Sequence, residues 1–252
     1  MANIKLKTHT SYILLASALL SGCHTYQVDQ SRRSKIAQFA INHPVAAQVI
    51  GVEDKNSTNL TSNAARFATR TGLDDLANGE GRGTQVNAVR QALWQAAISS
   101  QFDSEIANRA GNAYLSDMEI REGKTDYYSR FLADQAVDQR NNRIGRSIGS
   151  GKPGADMKAL LQSVLFYYHK VGLWTASEVK ASGRKVWRIS QEKLSEAEYR
   201  RALKNIAPLN TNGMLPNEQN LKTDTFKEIK KTVKVITKVE DRFVSTFYLL
   251  LQ

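Results

Sequence analysis

Apolar residues along this chain recur mostly at the three- and four-residue spacing of helices that bury one face. Between residues 84 and 102 this spacing covers Val86, Val89 and Leu93. The next segment opens with Asp103, whose carboxylate can cap the first turn of a helix. The same spacing predicts further helices over residues 60–72, 103–122, 126–149, 155–173, 195–207 and 225–251.

The pattern changes between residues 174 and 190. Residues 186–189 alternate between apolar and polar after a Ser182–Gly183 turn, which is typical of a β-hairpin. The spacing of Ser195 and Glu198 then predicts a capping box at the start of the next helix. The predicted fold class is mainly α, a single multi-helix domain, and the pattern allows one small β-hairpin.

The N-terminus has the layout of a secretory leader. Lys5 and Lys7 precede an apolar run at residues 12–20. That run is too short to span a bilayer, which takes about 20 apolar residues, but it suits a signal peptide. Residues 20–23, with the sequence Leu-Ser-Gly-Cys, resemble the lipobox of bacterial lipoproteins.

The lipobox resemblance implies that a signal peptide, residues 1–22, is removed and that Cys23 is fatty-acylated. Cys23 is the only cysteine of the chain, and acylation removes a thiol that would be a liability in an oxidising compartment. The next residue is His24 and not the aspartate that retains such proteins at the inner membrane. The resemblance therefore implies a lipid anchor in the outer membrane, with the domain periplasmic or surface-exposed.

Behind the anchor, residues 23–34 are predicted to form a polar tether to a helical domain at residues 35–252. The first helix of that domain is expected to end before Pro44, because a residue that precedes proline avoids the helical conformation.

The composition is that of a basic globular protein. The 252 residues are 41% hydrophobic and include only 4 prolines, which argues against wholesale disorder. Loss of the leader removes Lys5 and Lys7, so 33 basic residues face 24 acidic ones and the net charge falls from +11 to +9. These charges are scattered, apart from residues 227–238, so nucleic acid is not the expected partner. Binding of extracellular DNA or lipopolysaccharide is a weaker alternative, which predicts affinity that falls with salt.

Three motifs in order carry the most specific signal. Residues 87–94 read Asn-Ala-Val-Arg-Gln-Ala-Leu-Trp, residues 110–115 read Ala-Gly-Asn-Ala-Tyr-Leu, and residues 138–146 follow the pattern D-x-x-N-N-x-x-G-R. Together they resemble an uncharacterised domain of bacterial secreted and toxin-associated proteins. Its pattern is N-A-x-R-H-A-x-W, then G-D-A-H-E, then D-x-H-N-N-x-x-G. The resemblance covers residues 84–150.

The departures from this pattern concern the residues able to do chemistry. The three histidines of the pattern fall on Gln91, Tyr114 and Arg140, and its glutamate falls on Leu115. Imidazole and carboxylate groups bind metals and transfer protons near neutral pH, and the residues present here do not replace them. The resemblance therefore implies a scaffold that has lost its site, with no metal, no cofactor and no assigned catalytic residue.

Among the residues of the pattern that this chain retains, five are candidate site residues: Arg90, Trp94, Asp138, Asn141 and Asn142. Two adjacent asparagines inside a helix are unfavourable, because their amides compete for backbone groups. We therefore expect a polar clamp, in which Arg90 pairs with Asp138 and the two amides bond across two helices. A residual ligand-binding cleft lined by the same residues is the second interpretation.

Two functions from different classes follow. The favoured one is a non-catalytic outer-membrane lipoprotein that binds another envelope protein, or a secreted toxin against which it protects its cell. The alternative is an envelope hydrolase that acts on cell wall or lipid. It would use Asp138 together with Asp117, Glu119 or Glu122 as acid and base.

Overall fold

The computed structural model describes residues 27–76, 81–115, 123–181 and 183–221. Within these ranges the fold is mainly α, with a small antiparallel sheet, as the sequence predicts. The eight α-helices of these ranges are α1 (Gln27–Asn42), α2 (Pro44–Ile50), α3 (Leu60–Thr69), α4 (Gln85–Gln101), α5 (Ser104–Tyr114), α6 (Arg130–Ser150), α7 (Met157–Lys170) and α8 (Glu196–Ile206). The strands are β1 (Asp126–Tyr127), β2 (Leu173–Ala181) and β3 (Arg184–Glu192), and a 3-10 helix follows at Pro216–Leu221.

The central helix of the domain is α4, which contacts four other helices: α3, α5, α6 and α7. Its alanines and Leu93 are fully buried. The contact with α6 is unusually close, because a Cβ atom on Gly145 or Gly149 would lie 2.2 Å from a backbone carbonyl oxygen of α4. Since only glycine permits this approach, these two residues hold the backbones of α4 and α6 against each other.

The predicted hairpin is present as β2 and β3, which pair with Trp174 opposite Gln191. Gly183 lies at their turn with a φ of 77°, in the left-handed region that favours glycine. The hairpin packs on α6 around a second small core, to which Val137, Ala176 and other apolar residues contribute. Helix α6 therefore lies between α4 and the sheet.

Strand β1 corrects one prediction. The sequence spacing places residues 126–127 in a helix, whereas they form a short strand that pairs with β3. The guanidinium of Arg188 donates two hydrogen bonds of 2.7 Å to the carboxylate of Asp126, so the strand is held by a partner distant in the chain. The helix that follows begins only at Arg130.

The helix boundaries correct two further predictions. Helix α1 begins at Gln27, inside the segment 23–34 predicted to be a tether, because residues 27–42 contain neither proline nor glycine to interrupt a helix. Its Lys35 ammonium donates a 2.6 Å hydrogen bond to the carbonyl of Leu115. Helix α5 ends at Tyr114 and not at residue 122, because Leu115 is extended.

Other local predictions are confirmed. Asp103 caps α5 by accepting a hydrogen bond from the backbone N–H of Ile106, and Ser195 with Glu198 forms a capping box on α8. The predicted signal peptide and the predicted helix at residues 225–251 lie outside the described residues. Among the described helices, none has the length and apolar character that crossing a membrane requires.

Candidate functional site

Four of the five candidate site residues, all except Asn141, meet at a polar cleft of about 200 Å³ between α1, α4, α5 and α6. Helix α4 contributes Asn87, Arg90 and Gln91 to its polar wall. Helix α6 contributes Gln135 and, at successive turns, Asp134, Asp138 and Asn142. Arg32 of α1 and Arg82 of the loop before α4 complete the charged lining.

Asp138 is connected to Arg90 through a third residue. Its Oδ1 accepts a 2.9 Å hydrogen bond from Nδ2 of Asn87, and Oδ1 of Asn87 accepts one of 3.2 Å from Nη2 of Arg90. The other guanidinium nitrogen of Arg90 lies 3.4 Å from the carboxylate of Glu53. The direct Arg90–Asp138 pair expected from the sequence is therefore replaced by a relay through Asn87, which is one turn away from Arg90 on the same helix.

The carboxyl of Asp138 lies deep among protein atoms, with some access to solvent through the cleft. Burial raises its pKa from 3.8 to about 6, because the charged form loses hydration. The hydrogen bond from Asn87 and the positive charges of Arg90, Arg82 and Arg32 oppose this shift and favour the carboxylate. Asp138 can therefore exchange a proton close to physiological pH.

Asn141 and Asn142 serve different neighbours. Asn141 is fully buried against the hairpin, where its Nδ2 donates to the carbonyl of Trp174 and its Oδ1 accepts from the N–H of the same residue, both at 2.9 Å. Its amide therefore continues the hydrogen-bond ladder at the edge of β2 that faces away from β3, where the N–H of Ala176 also donates to the carbonyl of Gly83. Asn142 lines the cleft instead, so the two amides do not form the single clamp predicted from the sequence.

The amide of Asn142 has spare hydrogen-bonding capacity. The residue is 3% exposed, and its Oδ1 accepts no hydrogen bond from any residue in the described ranges. Nε2 of the neighbouring Gln95 is likewise buried without an acceptor there. Gly111 of α5 leaves room for both amides, since a Cβ atom on it would lie 3.1 Å from that nitrogen of Gln95. A buried group of this kind is costly, so a bound molecule that hydrogen-bonds to it gains affinity.

Aromatic residues form the apolar wall of the cleft. The ring of Trp94 meets the ring of Tyr114 edge to face, with centroids 5.3 Å apart. The indole Nε1 of Trp94 donates to Oγ1 of Thr61, 3.1 Å away, so Trp94 is held in place from behind by α3.

The four positions where the histidines and the glutamate of the resembled pattern are replaced do not all share this location. Gln91, Tyr114 and Leu115 line the cleft beside Asp138. Arg140 lies elsewhere, over the ring of Trp174 at 4.8 Å from its centroid.

Sequence reasoning missed three charged residues of the cleft. Arg32 falls in the segment predicted to be a tether, and Arg82 lies within a glycine-rich loop that carries no helical spacing. Asp134 does carry a signal, because it precedes Asp138 by four residues and so lies on the same face of α6. Oδ2 of Asp134 lies 3.8 Å from Nε of Arg130.

The other acids proposed for a hydrolase, Asp117, Glu119 and Glu122, lie outside the described residues. In the described part of the chain, no three His, Cys, Asp or Glu residues are placed to hold a metal ion. No family model, curated protein or solved structure matches this chain. The assignment of function therefore depends on the cleft and on the leader predicted from the sequence.

Proposed function

We propose that this chain is a lipid-anchored protein of the bacterial outer membrane that binds a partner through the cleft and catalyses no reaction. The observation that carries the proposal is the composition of the cleft. Guanidinium and amide groups converge there on Asp138, which already accepts a hydrogen bond from Asn87. The described lining contains no histidine and no serine, threonine or cysteine nucleophile. Such a surface suits recognition, and among the residues described it holds no hydroxyl or thiol of Ser, Thr or Cys paired with a histidine base.

The anchor is supported by the lipobox-like residues 20–23 alone. Two or three acyl chains on Cys23 would hold the protein at the membrane far more firmly than one chain, at about 0.8 kcal/mol per buried methylene. A partner in this compartment is another envelope protein, or a secreted toxin that the anchored protein intercepts before it harms the cell.

The experiment that tests this function is capture of the acylated full chain from its own envelope, followed by identification of what is retained. We expect one stoichiometric protein partner. The Arg82→Gln variant is expected to lose this partner, since Arg82 lines the cleft. The control Arg201→Gln removes the same charge from an exposed position on α8 and is expected to retain the partner. Recovery of only wall fragments or lipid, or equal capture by both variants, would contradict the proposal.

A second candidate, the envelope hydrolase, is favoured by one observation. Asp134 and Asp138 lie one turn apart at the cleft, and the pKa of Asp138 is raised to about 6, a value suited to a general acid. The full chain would be incubated with purified cell-wall sacculi and with phospholipid vesicles. Release of soluble products that disappears in Asp138→Asn, while a cooperative melting curve shows that the variant is still folded, would favour this candidate over binding alone.

A further inference from the structure

The cleft has more positive charge than its own carboxylates neutralise. Asp134 faces Arg130, and Arg90 faces Glu53, so each of these charges has an opposite charge nearby. Arg32 and Arg82 make no hydrogen bond or ion pair within the part of the chain that the structure describes.

These two guanidinium groups face a single remaining carboxylate, that of Asp138. Nε of Arg32 is also shielded from solvent. An excess cation in a partly closed cleft attracts an anion from solution.

The free groups of the cleft also specify what the anion must carry. A guanidinium presents several N–H donors in a fixed plane, which matches the oxygens of a carboxylate or a phosphate. Oδ1 of Asn142, buried in the same cleft without a partner among the described residues, requires a donor. The volume of about 200 Å³ corresponds to about seven water molecules at roughly 30 Å³ each, which is the size of a small head group.

We propose that the cleft binds a small oxyanion, a carboxylate or a phosphate, that bears a neighbouring N–H or O–H donor. The oxyanion lies against Arg32 and Arg82, and the donor bonds to Oδ1 of Asn142. This inference rests on the proposed binding function and names the chemical class of its ligand. A carboxylate of this kind occurs at the end of a peptide, and a phosphate of this kind occurs on a lipid or sugar head group.

Binding of such an anion depends on the charge of Asp138. The charged and titratable groups that face it are Arg32 of α1, Arg82 of the preceding loop, Arg90 of α4, Tyr114 of α5 and Asp134 of α6. Burial raises the pKa of Tyr114 above its ordinary value, so this phenol stays neutral in acid and at neutral pH. A carboxylate at Asp138 repels the ligand, and protonation as the pH falls through about 6 removes that repulsion. A ligand whose own charge is constant should therefore bind more tightly in acid.

The test is calorimetric titration of the full chain in neutral detergent at low ionic strength. The probes are N-acetyl-alanine, which pairs a carboxylate with an N–H, and glycerol phosphate, which pairs a phosphate with hydroxyls. N-acetyl-alanine amide serves as the uncharged control. We expect saturable binding of at least one anion and none of the amide. Preference for the carboxylate identifies a peptide end as the source, and preference for the phosphate identifies a head group.

The variants separate this cleft from general charge. Arg32→Gln and Arg82→Gln are each expected to weaken binding by about tenfold or more, the loss of one charge-assisted contact, whereas Arg201→Gln leaves it unchanged. Lowering the pH from about 7.5 to about 5 is expected to tighten binding of N-acetyl-alanine to the wild type but not to Asp138→Asn, because the amide has no charge to lose. Melting curves of every variant confirm that the titrated protein is folded.

Two results would overturn the inference: absence of binding by both anions, or equal weakening by Arg201→Gln and the cleft variants. Capture of a partner protein that survives in Arg82→Gln, with neither anion bound, would reject the oxyanion ligand but leave an envelope-binding role. Anion binding without any captured partner would support the oxyanion site and reject the protein-partner function.

Discussion

The buried carboxyl of Asp138 predicts a specific dependence of stability on pH. Its pKa is about 6 in the folded protein against 3.8 as the ordinary value. The folded state therefore holds its proton more tightly than the unfolded state. Stability from this group is fully present below pH 3.8 and is lost as the pH rises through about 6. A shift of about 2 units corresponds to at most about 3 kcal/mol, and solvent in the cleft reduces that value.

Asp138→Asn isolates this contribution. The asparagine amide has the same shape as the carboxyl, and its oxygen can still accept the hydrogen bond from Asn87, but it does not titrate. We expect the free energy of unfolding of the wild type to fall by about 1 to 3 kcal/mol relative to the variant between about pH 4 and pH 7.5. Urea denaturation of both full-length proteins in the same detergent measures the difference. Other carboxyl groups, including Glu218 with its pKa lowered to about 2 by Arg70, titrate equally in both and cancel.

Asp138→Ala provides the matched comparison. It removes the acceptor as well as the charge, so Nδ2 of Asn87 loses its partner at a cost of about 1–3 kcal/mol. The alanine variant should therefore be less stable than the asparagine variant at every pH. A stability gap between wild type and Asp138→Asn that does not change with pH, or that changes in the opposite sense, would refute the reasoning. It would mean that the surrounding arginines outweigh burial.

Three further predictions concern the scaffold and the anchor. Gly145→Ala should lower the free energy of unfolding, measured in urea, by about 1–3 kcal/mol or more, because the new methyl group overpacks against a carbonyl of α4. This cost exceeds the gain of about 1 kcal/mol in helix propensity. The control Gly151→Ala places its methyl group at ordinary contact distances and should be tolerated. Asn141→Ala should cost about 2 kcal/mol or more and accelerate hydrogen exchange at the N–H of Trp174; unchanged exchange would contradict the edge-capping role. Cys23→Ser should abolish fatty-acid labelling and move the protein from the membrane fraction to the soluble fraction; retention in the membrane would reject the lipid anchor.

The helices were predictable where the spacing of apolar residues is a local property. The segments that became α4, α7 and α8 carry their burial pattern in their own sequence, and the caps at Asp103 and Ser195 follow from adjacent residues. Strand β1 was not predictable in this way. Asp126 and Tyr127 are extended because they pair with β3, about 60 residues later in the chain, and local spacing contains no information about that partner.

The cleft was predictable in part for the same reason. Residues on α4 and α6 at helical spacing had to meet if those two helices packed together, which places Arg90 and Asp138 near each other. Which contacts they make depends on Asn87, whose amide has both a donor and an acceptor and so can bridge the two. Arg32 and Arg82 lie on segments other than α4 and α6, and nothing in their local sequence indicates that they reach the cleft. Only the folded chain reveals them.

The paired asparagines follow from the geometry of α6. Successive helical residues point about 100° apart, so neighbours in sequence cannot face the same partner, whereas residues three or four apart share a face. The sheet-facing stripe consists of Ala133, Val137 and Asn141. The stripe toward the cleft and α4 consists of Asp134, Asp138, Asn142, Gly145 and Gly149. Each asparagine belongs to a different stripe: one completes the edge of β2, and the other lies between the carboxylates of the cleft and the glycines that bring α6 onto α4. The close helix contact and the polar cleft are therefore two parts of one face, and a change at Gly145 should disturb ligand binding as well as stability.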